Sequence, residues 1–421
     1  MTTAMSLAAS SGVAVWDAVG EPPRSPVRAA AAERLFRHAV RDLPVRVVLA
    51  GGERLGAGGD EAPLMRILAP EAFFHRLGVD AKIGFGESYM IGEWDSPDPA
   101  ALLTPFARRL PVLVPRPLQY LRRWVDAARP EDERNTPAGA GRNVRRHYDL
   151  SNEVFATFLD ETMTYSAGLF RPGITELATA QRCKLDRALD VAGVGEGTRL
   201  LEIGSGWGSL AIRAAERGAR VTTLTLSEQQ LNLARERIER AGVADRVDVE
   251  QRDYRHATGE FDAVVSIEMI EAVGAEYWSE FFATLDRLLV PGGRALVQAI
   301  TMPHERMLAT RGSHTWIHRY IFPGGQLPST RAIERIVSEH TGLQLSERHA
   351  FGDSYAETLR RWRAEFTRQH ERIAQLGFNE RFRRMWEFYL AYSEAGFRAR
   401  YLDVWQFALT KSTADGARQR G

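Results

Sequence analysis

The most restrictive feature of this 421-residue chain is a regular alternation of strand-like and helix-like patterns between residues 199 and 300. Amphipathic runs of helical length separate short apolar runs, which are TRLLEIGSG, ARVTTLTLS, RVDVEQRD, FDAVVSIEMIEAV and RALVQAI. Spacers of helical length between successive strands indicate crossover connections, which give a mostly parallel sheet with helices on both faces. The sequence therefore predicts an α/β fold built on a doubly wound sheet.

A glycine-rich turn follows the first of these strands. In LLEIGSGWGSLA, Gly204, Gly206 and Gly208 lie between the strand and the next helix, and Glu202 lies just before the turn. Glycines at such a turn let the backbone approach a ligand closely. The spacing differs from the G-x-G-x-x-G of dinucleotide sites, and no basic residue follows to bind a phosphate. The turn therefore favours a ligand without a pyrophosphate.

Polar residues also follow the later strands. Because the carboxyl ends of parallel strands meet at one edge of a sheet, we expect these side chains to lie near the glycine turn. After the second and third strands they are Thr225, Ser227, Gln230, Asp253 and Tyr254. The fourth strand is followed by two acids, Glu268 and Glu271, in VVSIEMIEAVG. Two carboxyl groups so close together and partly removed from water should raise the pKa of one of them.

The rest of the chain divides by composition. Residues 27–127 mix helical and strand patterns and predict a smaller N-terminal α+β domain. Residues 128–142 are rich in proline, glycine and charge, which is typical of a linker. Residues 1–26 and 412–421 are expected to form a flexible arm and a tail. This leaves 143–411 as the catalytic domain.

The segment 106–125 interleaves arginines with leucine, valine and tryptophan. From these residues alone, two interpretations carry equal weight. The segment is either a proline-broken connection packed on a neighbouring domain or a basic, apolar surface that contacts anionic lipid headgroups.

Charge and cysteine content exclude several classes of protein. The formal net charge is +1, so no global field favours nucleic acid. The single cysteine, Cys183, cannot form an internal disulfide, which fits a reducing compartment. No apolar run reaches membrane-spanning length, and the N-terminus lacks the charged region of a signal peptide. We therefore expect a cytoplasmic protein whose contact with the inner face of the cell membrane is peripheral.

Several long motifs, in order along the chain, resemble the cyclopropane-fatty-acyl-phospholipid synthase family. They are GFGESYMIGEW, RHYDLSNEVFATFLDETMTYSAGLF, LLEIGSGWGSLA, LTLSEQQ, YIFPGGQLPS and GFRARYLDVWQ. The glycine turn is similar to the S-adenosylmethionine loop of class I S-adenosylmethionine-dependent methyltransferases, which have a Rossmann-like doubly wound sheet. The resemblance implies S-adenosylmethionine as the cofactor and a reaction at the cis double bond of a phospholipid acyl chain. It also favours the lipid-contact interpretation of the segment 106–125, and hence a lipid- or membrane-associated domain at residues 27–127.

The resemblance implies functional residues where the motifs match. Glu271 corresponds to the family's acid after the fourth strand, and Tyr355 to its active-site tyrosine. The implied cofactor site comprises Tyr148, Tyr165, Ser166, Glu202, Gly204, Gly206, Gly208, Thr225, Leu226, Gln230, Asp253, Tyr254 and Ile267. No metal is implied, and the i,i+4 pair His314 and His318 lacks a third ligand nearby in the sequence.

The chain departs from the family at the position of the catalytic base. Cyclopropane-forming members hold a bicarbonate ion with a cysteine, a glutamate, a histidine and a tyrosine. Here Ala167 replaces the cysteine, Gln298 replaces the histidine, and Glu268 stands where glycine is typical. We hypothesise that the Glu268 carboxylate replaces the anion, as base or as electrostatic partner of a carbocation. The alternative is that Glu268 points away and pairs with an arginine.

The changed base also bears on the product. Loss of a methyl proton after a hydride shift would give a methylene branch instead of a ring. The chain resembles the actinobacterial branch of the family that makes methylene-branched stearoyl lipids, precursors of tuberculostearic acid, with a separate reductase. The alternatives are a cyclopropane synthase with a rebuilt base, a non-catalytic lipid-binding scaffold and a small-molecule methyltransferase. The sequence leaves open the double-bond position, the headgroup and the oligomeric state.

Overall fold

The computed structural model describes residues 14–22, 24–110, 130, 133, 135–136, 139, 141–142 and 151–413. The predictions for Tyr148, for most of the linker and of the basic segment, and for residues 1–13 and 414–421 lie outside these residues. Within the arm predicted to be flexible, Val15–Ala18 instead form a short helix whose Trp16 is buried.

The chain divides into two compact units, each built from separate stretches of sequence. The first comprises Met1–Pro130, Gly312–Pro323 and Leu359–Tyr401, and the second comprises Glu131–Arg311, Gly324–Thr358 and Leu402–Gly421. The grouping differs from the linear boundaries that the sequence predicts, because two later segments belong to the first unit. Aromatic side chains of those segments pack into the core of that unit.

The first unit mixes helices with a small sheet, as predicted. Its strands β1 (Arg46–Leu49), β2 (Arg54–Leu55), β3 (Leu64–Ile67) and β4 (Trp94–Asp95) are ordered β2-β1-β3-β4. Its helices are Pro26–Val40, Pro70–Val79, Ala81–Met90, Pro99–Arg109, Trp316–Tyr320, His370–Gln375, Glu380–Arg398 and the part of Gly352–Arg368 from Leu359 onwards.

Aromatic packing holds the late segments in the first unit. Trp94 is fully buried beside Tyr89, with ring centroids 4.8 Å apart. Trp316 packs edge-on against Phe388, also at 4.8 Å. A Cβ atom on Gly86 would lie 2.5 Å from the Trp316 ring, so the close approach requires glycine at this position. The motif GFGESYMIGEW thus supplies much of the contact surface of this core.

The described residues of the second unit form a seven-stranded sheet in the order β10-β11-β9-β8-β5-β6-β7. Strands β5 to β9 pair in parallel, whereas β11 is antiparallel to both β9 and β10. The strands are β5 (Arg199–Ile203), β6 (Arg220–Thr225), β7 (Val247–Gln251), β8 (Phe261–Ile267), β9 (Leu289–Thr301), β10 (Leu343–Ala350) and β11 (Asp403–Lys411). The helices are Asn152–Ala156, Leu177–Val191, Ser209–Glu216, Glu228–Arg240, Trp278–Leu288, His304–Thr310, Thr330–His340 and the start of Gly352–Arg368.

Both faces of this sheet are covered. Leu201 and Val264 lie in one buried cluster with Phe281, whereas their neighbours Leu200 and Val265 lie in a second cluster. Because successive side chains of a strand point to opposite faces, strands buried on both faces are continuously apolar. The alternation in the sequence therefore predicted the doubly wound sheet correctly.

No described helix combines the length and the apolar composition that crossing a membrane requires.

Candidate active site

Four parallel strands end at one edge of the large sheet. Strands β5, β6, β7 and β8 end at Ile203, Thr225, Gln251 and Ile267, and they are neighbours in the order β8-β5-β6-β7. The predicted residues that follow these strands are therefore brought to a common edge, as the parallel arrangement requires.

The glycine turn after β5 has the backbone geometry that the sequence predicts. Gly204 has a φ of +95°, and a Cβ atom there would lie 2.8 Å from Cγ of Met269. Gly206 has a φ of +49° and faces open space, since a Cβ atom at this position would meet nothing within 4 Å. The turn therefore leaves room beside exposed main chain, which suits a ligand that approaches the backbone closely.

Glu202 is buried at the end of β5. Its Oε2 accepts a hydrogen bond of 2.6 Å from Oγ1 of Thr223, the residue paired with it across the sheet. Burial raises the pKa of Glu202 to about 8. The group therefore adds little negative charge at neutral pH, and protonation gives it a hydrogen to donate.

The ends of β6 and β7 carry the other predicted cofactor residues. Thr225 donates a 2.9 Å hydrogen bond to Gln230, and the side chain of Ser227 caps the helix Glu228–Arg240. Asp253 instead pairs with Arg255 at 2.7 Å. The buried hydroxyl of Tyr254 has no hydrogen-bond partner among the described residues. A buried polar group of this kind needs a water or ligand partner, which fits the predicted cofactor site.

Leu226 and Ile267 are half-buried at the same strand ends. Tyr165 is also half-buried and packs edge-on against Phe155 at 5.1 Å. Ser166 is buried and accepts a 2.7 Å hydrogen bond from Nζ of Lys184. The structure therefore places these predicted residues in the second unit, together with a lysine that the sequence analysis did not identify.

Lys184 lies on the helix Leu177–Val191 and is completely buried. Burial lowers the pKa of Lys184 to about 8, while the charges of Glu268, Asp160 and Glu202 act in the opposite direction. Gln181, one turn earlier on the same buried face, donates a 2.8 Å hydrogen bond to the carbonyl of Ser166. In the sequence, Gln181 and Lys184 are polar residues within the apolar stripe of an amphipathic helix. That pattern is the signal from which they could have been identified.

Glu268 follows β8 in a left-handed backbone conformation, with a φ of +50°. Its Oε1 accepts hydrogen bonds from the backbone N–H of Ala167 at 2.9 Å and from Nε2 of Gln298 at 2.8 Å. The hydroxyl of Tyr355 also donates to this carboxylate. The alternative interpretation, an outward Glu268 paired with an arginine, does not match these contacts.

The contacts of Glu268 coincide with the positions at which the sequence departs from the family pattern. Ala167 and Gln298 stand where the bicarbonate-holding members have cysteine and histidine, and both bond to the Glu268 carboxylate. Burial raises the pKa of Glu268, while the bond from Ala167 and the charge of Lys184 act against that shift. A carboxylate with a raised pKa is better matched to proton transfer near neutral pH.

Glu271 lies in the short turn Ile270–Ala272. Its Oε1 accepts a 2.5 Å hydrogen bond from the backbone N–H of Ile300, whereas its buried Oε2 has no hydrogen-bond partner within the described ranges. Burial, together with the nearby charge of Glu268, raises the pKa of Glu271 to about 8. The carboxyl group of Glu271 is therefore largely protonated at neutral pH.

His314 and His318 belong to the first unit, where their rings stack with centroids 5.9 Å apart. The described part of the chain contains no cluster of three or more histidine, cysteine, aspartate or glutamate side chains suited to a metal ion.

Several known proteins are similar to this chain in sequence and in fold. The profile of a family described as mycolic acid cyclopropane synthetase matches residues 136–407. The tuberculostearic acid methyltransferase UfaA1 of Mycobacterium tuberculosis is 51% identical over 390 residues, 90% of this chain and 91% of that protein. The cyclopropane-fatty-acyl-phospholipid synthase of Escherichia coli is 32% identical over 77% of this chain and 82% of that protein.

A solved structure of the mycolic acid cyclopropane synthase CmaA1, complexed with SAH and CTAB, has a TM-score of 0.60 to this chain. It is 33% identical and covers 64% of this chain and 98% of that one. This likeness confirms the predicted class I methyltransferase fold.

The raised pKa of Glu271 predicts a pH-dependent contribution to stability. Between the ordinary value of 4.5 and about 8, the folded protein keeps a proton on Glu271 that the unfolded chain releases. The contribution is therefore complete at acid pH and is lost as pH rises through this window. As pH rises from about 5 to about 9, the wild-type protein loses this contribution, whereas Glu271→Gln has no such carboxyl group to ionise. The free energy of unfolding of Glu271→Gln should therefore rise by more than about 1.4 kcal/mol relative to that of wild type.

Chemical denaturation of both proteins at the two pH values measures this difference. The matched control is Glu280→Gln, which changes an exposed acid on the helix Trp278–Leu288 and should show no such trend. If the free energies of unfolding of wild type and Glu271→Gln differed by the same amount at both pH values, the raised pKa of Glu271 would be contradicted.

Proposed function

Because the chain belongs to the mycolic acid cyclopropane synthetase family, we propose that it methylates the cis double bond of an oleoyl chain in a phospholipid and releases a methylene-branched product. At the level of the family, the chain is an S-adenosylmethionine-dependent methyltransferase that acts on lipid chains. The phospholipid, the oleoyl chain and the methylene branch are the parts that we propose.

The residues at the sheet edge fit the cofactor. S-adenosylmethionine supplies an electrophilic methyl group. Gly206 leaves main chain beside open space, and the buried hydroxyl of Tyr254 has no hydrogen-bond partner among the described residues. Glu202 and the pair Thr225 and Gln230 lie at the same edge. These residues would hold the cofactor, and Ser166 with Tyr165 would cover it.

The observation that carries the proposal is the position of the Glu268 carboxylate. It is fixed by Ala167, Gln298 and Tyr355, two of which mark departures from the bicarbonate-holding pattern. A unit negative charge about 4 Å from a carbocation, at an effective dielectric of about 20, stabilises it by about 4 kcal/mol. If realised mainly in the transition state, this corresponds to roughly three powers of ten in rate.

A side-chain base accounts for a methylene product. The electron pair of the alkene would form the new carbon–carbon bond to the methyl group. The carbon–sulfur bond would break, its electron pair would stay on sulfur as S-adenosylhomocysteine leaves, and a cation would remain on the other alkene carbon. A hydride shift moves the cation to the carbon that bears the new methyl group. Glu268 then accepts a proton from that methyl group, and the electron pair of the broken carbon–hydrogen bond forms the double bond of the methylene branch. The name of the tuberculostearic acid methyltransferase, 51% identical to this chain, supports a branched product.

A partner enzyme would complete such a branch. Saturation of the methylene group requires a hydride and a proton, which a separate flavin- or nicotinamide-dependent reductase would supply. The lipid substrate also requires peripheral contact with the inner face of the cell membrane. We propose the basic, apolar segment 106–125 for that contact, of which residues 106–110 are described.

Two rivals remain. A cyclopropane synthase with a rebuilt base would use the same cofactor site and remove the proton so that a ring closes. A lipid-binding scaffold without catalysis would not need the open glycine turn, the clustered acids or Tyr355. These retained features favour an enzyme.

Incubation of the full-length protein with S-adenosylmethionine and dioleoyl phospholipid vesicles tests the reaction directly. Mass spectrometry should show one added methylene unit, and proton NMR should show vinylidene protons. Cyclopropane protons would establish the first rival, and an unchanged lipid in the presence of bound cofactor would establish the second.

The Glu268→Gln variant tests the base. Turnover should fall by about three powers of ten, because an amide neither accepts the proton nor carries the charge. Calorimetry should still detect S-adenosylmethionine binding, since Glu268 is not among the predicted cofactor residues. Glu280→Gln is the matched control and should keep the wild-type rate. A Glu268→Gln enzyme with wild-type turnover would exclude Glu268 as the base.

Removal of bicarbonate tests whether a side chain has replaced the anion. In buffers purged of carbon dioxide, the wild-type rate should stay unchanged, because Glu268 already provides the negative charge. A rate that falls on purging and returns when bicarbonate is added would show that the anion is still used.

A further inference from the structure

A row of three polar side chains leads away from Glu268 across the sheet. Nε2 of Gln298 donates to Oε1 of Glu268 at 2.8 Å, and Nε2 of Gln406 donates to Oε1 of Gln298 at 3.0 Å. Arg187, on the helix Leu177–Val191, donates through Nη1 to Oε1 of Gln406. We call Arg187, Gln406 and Gln298 the polar row.

The two glutamines of the polar row are buried in the middle of the sheet. Gln298 on β9 and Gln406 on β11 lie directly opposite each other in the antiparallel ladder. Their exposed fractions are 0% and 1%. Burying amide groups costs free energy unless they are hydrogen-bonded, and each glutamine here both donates and accepts. Each amide is therefore fixed at both ends.

The charge of Arg187 sets the direction of the whole row. A glutamine amide has nearly the same shape either way round, whereas a guanidinium can only donate. Gln406 must therefore present its carbonyl to Arg187 and its N–H group to Gln298. Gln298 in turn must present its carbonyl to Gln406 and its N–H group to Glu268. The group that meets Glu268 is thus a donor, which favours the ionised carboxylate.

We infer that Arg187, acting through Gln406 and Gln298, is a positioning residue that keeps Glu268 as an ionised proton acceptor. The inference rests on the proposed role of Glu268 as base, and it adds residues that do not touch the substrate. A charge at one end of the row thereby governs the ionisation of a carboxyl group at the other end.

Other groups also act on the two ends of the row. Lys184, Glu271 and Tyr355 face Glu268, and Glu347 and His349 face Arg187.

Glu347 is about half exposed, with a side-chain exposure of 52%, so solvent screens its pairing with Arg187. The guanidinium does not lose its proton in proteins, so the direction of the row does not reverse with pH.

The substitution Gln406→Glu reverses the row with almost no change in shape. A carboxylate at this position still accepts from Arg187 but cannot donate to Gln298. Gln298 then turns its N–H group to the new carboxylate and its carbonyl to Glu268, which favours the protonated form of Glu268. The acid limb of the pH–rate profile should move upwards by about one pH unit or more.

A second readout does not depend on turnover. The infrared carbonyl band of protonated Glu268, identified by its loss in Glu268→Gln, should titrate at higher pH in Gln406→Glu than in the wild-type protein. Arg187→Leu should produce a shift of the same sign, and Arg187→Lys, which keeps a charged donor, should restore much of the wild-type value. A purely structural role would lower thermal stability without moving either titration.

Gln344→Glu is the matched control, because it makes the same substitution at an exposed glutamine on β10 and should leave both titrations in place. Coincident infrared titrations of wild type and Gln406→Glu would overturn the inference. Wild-type turnover by Glu268→Gln would instead overturn the proposed function, and the infrared titration would still decide whether the polar row controls Glu268.

Discussion

The candidate active site is built around a carboxylate held at the end of a central parallel strand. Glu268 leaves β8 with a φ of +50°, a conformation that costs a residue with a side chain roughly 1–2 kcal/mol relative to the usual region. Its backbone N–H bonds to the carbonyl of Gln298 at 2.8 Å, while its side chain bonds to the amide of the same residue. These two attachments to β9 hold the strained residue in one orientation. Strain retained at a functional position is typical of a group whose direction matters more than its contribution to stability.

The surroundings of Glu268 form a coupled set of charges rather than a single ion pair. Glu202, Glu271 and Lys184 are all shifted to a pKa of about 8 by burial. Near neutral pH the acids are therefore largely neutral and the lysine is largely cationic, so few uncompensated negative charges remain. Such a site offers Glu268 as a buried carboxylate with little competing negative charge, which suits the proposed reaction with an alkene. The polar residues around Glu268 are buried, and hydrogen bonds among them offset the cost of that burial.

The sequence was sufficient to predict the sheet, because apolar periodicity and helix-length spacers specify crossover connections locally. It also identified the strand ends that carry Gly204, Thr225 and Glu268, since parallel strands bring their carboxyl ends to one edge. It did not reveal Lys184 or Gln406, because a polar residue within an apolar stripe acquires meaning only when its partner across the sheet is known. The grouping of the two compact units was also inaccessible, since contacts such as that of Gly86 with Trp316 join residues far apart in the chain.

The interleaving of the two units limits how this polypeptide can be divided. The chain passes from one unit to the other five times, near residues 130, 311, 323, 358 and 401. A fragment that ends at the first crossing would lack Trp316 and Phe388, so the aromatic face around Gly86 and Trp94 would be left in water. Such a fragment should be poorly soluble, and its missing segments could not be restored by a simple terminal fusion. Gene truncation or recombination at a single junction is therefore a poor route to a smaller version of this enzyme.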